Sequence, residues 1–198
     1  MNAAPQNLRL HPGDALIIVD VQNDFLPGGA LAVPRGDEVI PVLNEYISIF
    51  KDHNLPIIAT RDWHPPNHCS FTEHGGIWPT HCIAESHGAA FASGLELPRD
   101  ALLISKGTAF RSEAYSGFEQ THLADMLKEM KVCRVFVGGL ATDYCVLNTV
   151  KDALQHSFEA YFLADASRAV DVNTGDGENA EREMNALGAQ SVELIDPK

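Results

Sequence analysis

The chain has 198 residues, which is enough for one sizeable α/β domain, and 45% of them are hydrophobic, as in proteins with a packed core. Its 14 basic and 27 acidic side chains give a formal charge of -13, which repels nucleic-acid phosphates and anionic lipid heads and argues against both partners. The chain shows neither a secretory signal nor an apolar run of membrane-spanning length, so we expect a cytoplasmic protein with four reduced cysteines.

Short apolar runs alternate with helical periods along the chain, which favours parallel βαβ units. Strands are predicted over residues 15–19, 56–59, 102–104, 134–137, 160–163 and 191–194. Helices are predicted over residues 39–53, about 122–130, 143–155 and about 178–186. The sequence therefore predicts an α/β fold, a three-layer sandwich whose six-stranded parallel sheet has helices on both faces, in a single domain spanning residues 1–198.

One stretch, at about residues 61–100, departs from this alternation. It contains four of the eleven prolines and shows little periodicity. A loop of this length in a compact domain is usually functional.

Reactive side chains follow several of the predicted strands. Asp20 comes directly after the first strand, Asp62 and His64 follow the second, Lys106 follows the third, and Cys145 begins the helix after the fourth. Ligands bind beyond the carboxyl ends of the strands in open parallel sheets. Any one of these residues has an ordinary structural explanation, but their joint placement predicts a site at this edge.

Cys145 is the strongest candidate nucleophile. Two glycines end the preceding strand, and Thr142 or Asp143 can cap a helix whose first turn contains the thiol. A helix N-terminus favours the thiolate, and its unpaired N–H groups can hold the oxyanion formed in acyl transfer. The structural alternative is a buried cysteine that packs as a small hydrophobe, which is our interpretation of Cys133.

A thiol nucleophile needs a proton acceptor, and Asp20 is the best candidate. It ends a buried strand, where desolvation raises the pKa of a carboxyl, while Lys106 opposes that shift and stabilises a thiolate. A papain-like scheme would use a histidine, but His122 and His156 lie on predicted helices without a motif. We therefore predict a group of Asp20, Lys106 and Cys145 that shares one mobile proton.

A second constellation lies in the irregular stretch, where five of the nine histidines fall between residues 64 and 87. Asp62, His64, Glu73 and His81 offer carboxylate oxygen and imidazole nitrogen, which suit Zn²⁺, Mn²⁺ or Fe²⁺. A site with only three or four protein ligands keeps coordination positions open for water or substrate, as a catalytic metal site does. The alternatives are a polar loop with surface histidines, or a structural zinc clip formed by the neighbouring pairs His68–Cys69 and His81–Cys82.

Five motifs occur together in one order. They are residues 19–25 (VDVQNDF), 62–64 (DWH), 78–82 (WPTHC), 106–107 (KG) and 139–145 (GLATDYC). With these motifs the chain resembles the nicotinamidase/pyrazinamidase branch of the isochorismatase-like hydrolases, from about residue 14 to residue 196. The resemblance implies that a small carboxamide is the substrate and that nicotinamide is hydrolysed to nicotinic acid and ammonia.

The same resemblance implies roles for individual residues. Asp20, Lys106 and Cys145 would be catalytic, and one divalent transition metal ion (Zn, Fe or Mn) would bind to Asp62, His64, His81 and, in some members, Glu73. Phe25, Trp78 and Tyr115 would form the walls of the pyridine pocket. A cis peptide bond before Ala141 would turn the N–H groups of Ala141 and Cys145 toward the substrate oxygen.

Other functions remain open at this stage. A related cysteine amidohydrolase would act on a different carboxamide or ureido compound, or an isochorismatase on a vinyl ether. A metal-binding or redox-sensing module would oxidise Cys145 rather than acylate it. A homo-oligomer is also possible from the sequence.

Overall fold

The computed structural model describes residues 9–194, and its centre is a six-stranded sheet. The strands are β1 (Asp14–Val19), β2 (Ile57–Asp62), β3 (Leu102–Lys106), β4 (Arg134–Leu140), β5 (Glu159–Arg168) and β6 (Gln190–Val192). All neighbours are parallel, in the order β3-β2-β1-β4-β5-β6. The predicted six-stranded parallel sheet is therefore confirmed.

Helices cover both faces of this sheet, because successive side chains of the buried strands point to opposite sides. The helices are α1 (Val39–Asp52), α2 (Leu123–Glu129), α3 (Leu147–Gln155) and α4 (Asp176–Ala186). On β1, Leu16 and Ile18 pack with residues of α1, whereas Ile17 packs on the other face with residues of α2, α3 and α4. Within residues 9–194, no helix combines the length and the apolar character needed to cross a membrane.

Four strands extend further than the apolar runs indicated, namely β2, β3, β4 and β5. For β2 and β3 the sequence placed the ends at residues 59 and 104, because polar side chains follow. Backbone pairing nevertheless continues until Asp62 of β2 lies opposite Lys106 of β3. The extension therefore sets these two charged side chains next to each other at the carboxyl edge of the sheet.

The connection between β2 and β3 is irregular, as predicted. It contains one 3-10 turn (Thr72–His74) and isolated bridges that pair His64 with Ile83 and Phe71 with Trp78. Ala89 and Ala92 of this connection are buried in the same core as the apolar side of α1. The connection thus shares one face of the sheet with α1 and holds its side chains against the strand ends.

Candidate active site

The strand order places the candidate site where chain direction reverses. From β1 the chain moves outward through β2 to β3, and from β4 it moves in the opposite direction to β6. Crevices beyond the carboxyl ends at such a switch point are where open α/β sheets bind ligands. Asp20 directly follows β1, and Cys145 lies five residues after β4.

The Lys106 ammonium group lies at the centre of a buried cluster. Its Nζ is 2.9 Å from Asp20 Oδ2 and 3.3 Å from Cys145 Sγ, and it also donates to Asp62 Oδ1. The ligand atoms of Asp20, Asp62 and Cys145 all lie within 4.8 Å of one another. The structure thus brings together the three residues predicted to share a proton, and adds Asp62.

Asp20 has one carboxylate oxygen available for proton transfer. Its Oδ1 accepts a hydrogen bond from Thr60 Oγ1 at 2.7 Å, whereas Oδ2 faces the ammonium of Lys106 without a well-aligned donor among the described residues. Burial raises the pKa of Asp20, and the charge of Lys106 opposes this rise. Asp20 Oδ2 is therefore suited to accept a proton from a nearby thiol.

Cys145 lies in a π-helical turn (Thr142–Val146) that precedes α3, and not in the first turn of a regular α-helix. The predicted cap is wrong, since neither Thr142 nor Asp143 caps this turn through its side chain. The Asp143 carboxylate instead accepts hydrogen bonds from the backbone N–H groups of Val170 and Asp171, both at 2.9 Å. The local sequence is typical of a helix cap at Asp143, but the hydrogen-bond partners of its carboxylate lie in the segment that follows β5.

The electrostatic environment also modifies the expectation of a favoured thiolate. Burial raises the pKa of the Cys145 thiol well above its usual value, and Asp20 and Asp62 add to this effect. Only Lys106 opposes it among the principal causes. The thiol form of Cys145 is thus favoured at this site, which makes a neighbouring proton acceptor necessary for nucleophilic attack.

Asp62, His64 and His81 form the predicted metal-type cluster. Asp62 Oδ2 is 3.6 Å from His64 Nε2 and 4.0 Å from His81 Nε2, and the three side chains are buried. Each imidazole donates its Nδ1–H to a carbonyl oxygen, of Gly107 at 2.8 Å and of Pro79 at 2.7 Å. Both Nε2 lone pairs are therefore free to coordinate, and this donor set fits a divalent transition metal.

Glu73 is not part of this cluster. It lies exposed in the 3-10 turn, and among residues 9–194 the groups able to hold a metal are Asp62–His64–His81 and Asp20–Asp62–Cys145. Its role as a fourth ligand stays a prediction.

The same geometry leaves the alternative zinc clip without support, because neither group includes Cys69 or Cys82. His68 stacks on His64 with ring centroids 4.1 Å apart. Its two ring nitrogens contact Ser70 Oγ at 2.7 Å and the carbonyl oxygen of Ser112 at 3.1 Å. His68 therefore supports a candidate ligand instead of offering a free nitrogen of its own.

Gln22 is a site residue that the sequence reasoning missed. Its fully buried side chain accepts from Asp62 N–H at 2.7 Å and donates to the carbonyl oxygens of Asp62 at 2.8 Å and Ala89 at 2.9 Å. It thus fixes the end of β2 to the irregular connection. The only signal in the sequence is its position within the first motif, which does not reveal the partners.

A cavity of about 430 Å³, including its open mouth, leads from the surface to Cys145. Phe25, Trp78 and Tyr115 line it as the resemblance implied, and Trp78 Nε1–H donates to the Tyr115 hydroxyl at 3.0 Å. Tyr144 was missed, although it precedes Cys145 in the fifth motif, and its ring meets that of Trp78 edge to face at 4.9 Å. The remaining lining residues are Leu31, Val33, Asp62, His81, Glu113, Ala114, Ala141 and Val170.

Ala141 adjoins Cys145 in this lining, and the Leu140–Ala141 peptide bond is cis, as the resemblance implied. The roles of the two backbone N–H groups as an oxyanion site stay a prediction.

Comparison with known proteins gives consistent matches over most of the chain. A family model described as the isochorismatase domain matches residues 14–196. The nicotinamidase of Escherichia coli is 37% identical, over 93% of this chain and 97% of the relative. The pyrazinamidase of Pyrococcus horikoshii, solved in complex with zinc, is 51% identical with a TM-score of 0.89, over 92% of this chain and 100% of that chain.

A third match is PnC1 from L. infantum, solved in complex with nicotinate. It is 35% identical with a TM-score of 0.88, over 96% of this chain and 99% of that chain. Together with the family model, these matches show that the chain belongs to the isochorismatase domain family.

Proposed function

We propose that this protein is a nicotinamidase, which hydrolyses nicotinamide to nicotinic acid and ammonia and also converts pyrazinamide to pyrazinoic acid. The observation that carries this proposal is the buried ammonium of Lys106 between Asp20 and Cys145, at the floor of an aromatic pocket that adjoins the Asp62–His64–His81 cluster. The relatives named nicotinamidase and pyrazinamidase support the choice of substrate. Such an activity would serve pyridine nucleotide salvage in the cytoplasm.

Asp62, His64 and His81 would hold one divalent transition metal ion. When bound, the ion would supply a Lewis acid for the pyridine nitrogen of the substrate. The ligand atoms of these three buried side chains lie within 4.8 Å of one another, and the carbonyl oxygens of Gly107 and Pro79 keep both imidazoles oriented. A zinc complex of the P. horikoshii pyrazinamidase supports this assignment. Metal analysis of the purified protein would distinguish zinc, iron and manganese.

The aromatic walls would position the substrate ring. Phe25 and Trp78 are 7% and 9% exposed, so their rings offer apolar surface inside the pocket and little of it outside. A ring held between them brings its carboxamide over Cys145, and this orientation removes much of the entropic barrier of a bimolecular reaction. The pocket walls thus contribute to catalysis by placement.

Chemistry at the floor of the pocket begins with proton transfer. Asp20 Oδ2 accepts the thiol proton while Cys145 Sγ attacks the amide carbon, and the backbone N–H groups of Ala141 and Cys145 stabilise the oxyanion. Asp20 then returns the proton to the departing nitrogen, and ammonia leaves a thioester on Cys145. Asp20 next accepts a proton from a water molecule that attacks the thioester, and it passes this proton to the departing sulfur of Cys145, which releases nicotinic acid and restores the thiol and the Asp20 carboxylate.

Lys106 makes this proton transfer feasible. Burial and the neighbouring carboxylates favour the thiol of Cys145, whereas the ammonium of Lys106 at 3.3 Å favours the negative charge that develops on sulfur. The two carboxylates in turn hold the pKa of Lys106 well above its usual value, so it stays protonated. The lysine is therefore an electrostatic partner and not the proton acceptor.

The test is ammonia release from nicotinamide by Cys145→Ala. We expect the variant to lose turnover while it still binds nicotinic acid, because the substitution removes the nucleophile and leaves the aromatic walls. Cys133→Ala is the matched control, since Cys133 is exposed. Ammonia release by Cys145→Ala at the wild-type rate would exclude the covalent route, and turnover of a ureido compound in preference to nicotinamide would exclude the proposed substrate.

A further inference from the structure

The pocket is lined by acidic side chains and by no lysine or arginine among the described residues. The acidic side chains are those of Asp62 and Glu113. The one ammonium beneath the pocket, on Lys106, is paired with two buried carboxylates. The chain has therefore already neutralised this ammonium, and the positive charge left for the pocket would be that of the metal ion in the proposed function.

Glu113 differs from the other carboxylates of the site, because no ion pair in the described part of the chain includes it. The side chain is partly buried, and Oε1 accepts a hydrogen bond from the adjacent Ala114 N–H at 3.2 Å. Burial raises the pKa of its carboxyl, and the charge of Asp62 adds to this effect. Glu113 thus lines the pocket with one backbone hydrogen bond and with no cationic partner among the described residues.

We propose that Glu113 is a specificity-determining residue, whose fixed negative charge on the pocket wall admits uncharged amides and weakens binding of anionic ligands, including the carboxylate product. This inference rests on the proposed function. The proposed reaction converts an uncharged group into an anion at one place in the pocket. A fixed negative charge nearby therefore raises the free energy of bound product and leaves bound substrate nearly unaffected.

The same charge would distinguish this pocket from one that accepts an anionic substrate. An enzyme that binds a carboxylate-bearing substrate requires a cationic or hydrogen-bond-donating wall to replace the water lost on binding. Here Glu113 occupies a wall together with aromatic and aliphatic side chains. Weaker binding of anions is thus a property of the wall that contains Glu113 and not of the nucleophile.

The experiment compares two competitive inhibitors of ammonia release at pH 8, which favours the ionised carboxylate. Nicotinate is the anionic probe, and 3-pyridinemethanol is the uncharged probe of similar shape. In Glu113→Gln, which removes the charge and keeps the side-chain size, we expect the inhibition constant of nicotinate to fall by about threefold or more and that of the alcohol to stay unchanged. Glu113→Asp should retain the weak nicotinate binding of the wild type.

Glu129→Gln is the matched control, because it removes the same charge from an exposed position at the end of α2. Glu113→Ala serves as a second variant, and it should likewise strengthen nicotinate inhibition relative to the alcohol. An unchanged nicotinate constant in both Glu113→Gln and Glu113→Ala would overturn the proposal, and so would an equal change for the two probes.

The two proposals fail in distinguishable ways. If the wild type released no ammonia from nicotinamide, the proposed function would be wrong. Calorimetric titration of nicotinate and 3-pyridinemethanol into the wild type and Glu113→Gln would still give the ratio of the two affinities. A larger ratio of nicotinate affinity to alcohol affinity in Glu113→Gln than in the wild type would support the role of Glu113. The same ratio in both proteins would refute it.

Discussion

Gln22→Met tests whether one buried amide holds the end of β2 in place. The methionine side chain has a similar length and fills similar space, but it can replace none of the three hydrogen bonds. The Asp62 N–H and the carbonyl oxygens of Asp62 and Ala89 lose their partner, at distances of 2.7, 2.8 and 2.9 Å in the native protein. A buried polar group left without a partner costs roughly 1–3 kcal/mol.

Three such groups give an expected loss of about 3–5 kcal/mol in the free energy of unfolding, after allowance for partial relaxation and the apolar gain of methionine. This is a large part of the roughly 5–15 kcal/mol by which domains are stable. Urea unfolding in the presence of a chelator measures it without a contribution from metal binding. Gln155→Met, at an exposed position that ends α3, should change stability by less than about 0.5 kcal/mol.

The same substitution should also affect the site. Asp62 contacts both Lys106 and the two imidazoles, so a shift of its backbone misplaces charges on which the proposed reaction depends. We expect kcat/KM for nicotinamide to fall on the order of 10- to 100-fold in the fraction that remains folded. A stability loss below about 1 kcal/mol, or unchanged kinetics at a large stability loss, would refute the assigned role of Gln22.

Further predictions concern the charges and the cluster. Lys106→Met should lose turnover and about 3–5 kcal/mol of unfolding free energy, because it leaves two buried carboxylates without their cation; wild-type urea stability would contradict this. Gly107→Ala should weaken zinc binding in a chelator competition, since the backbone φ at Gly107 is +61° and the new Cβ would lie 2.4 Å from His64 Cε1. Gly75→Ala is the control, because Gly75 also has a positive φ, of +92°, but a Cβ there meets open space, so this variant should bind zinc as the wild type does. Chelator treatment should abolish ammonia release until Zn²⁺, Mn²⁺ or Fe²⁺ is restored, and full activity in verified metal-free protein would contradict a role for the ion.

The sequence predicted the sheet and the ordering of its strands along the chain well, because short β-branched runs and helical periods are local signals. It also brought Asp20, Lys106 and Cys145 to one edge, because residues that follow parallel strands share that edge whatever their separation in the chain. The strand ends were less accurate. Backbone pairing through Asp62 does not depend on the polarity of the side chains on which the prediction relied.

What the sequence could not predict were contacts between segments far apart in the chain. The Asp143 carboxylate fits a helix cap by local rules, yet it binds backbone N–H groups 27 and 28 residues away. Gln22 likewise bonds to groups 40 and 67 residues distant. Neither partner produces a periodicity or a spacing, so such contacts become visible only when the tertiary structure is known.

Asp62 explains why the two predicted constellations form one site. Its Oδ1 accepts from Lys106 while its Oδ2 faces His64 and His81, so one carboxylate belongs to both groups. Burial alone would raise the pKa of Asp62, but Lys106 and His64 hold it below its usual range, and it remains an anion. Because the same carboxylate balances the ammonium beside Cys145 and offers a ligand atom to a metal, neither charge can change without altering the field at the other.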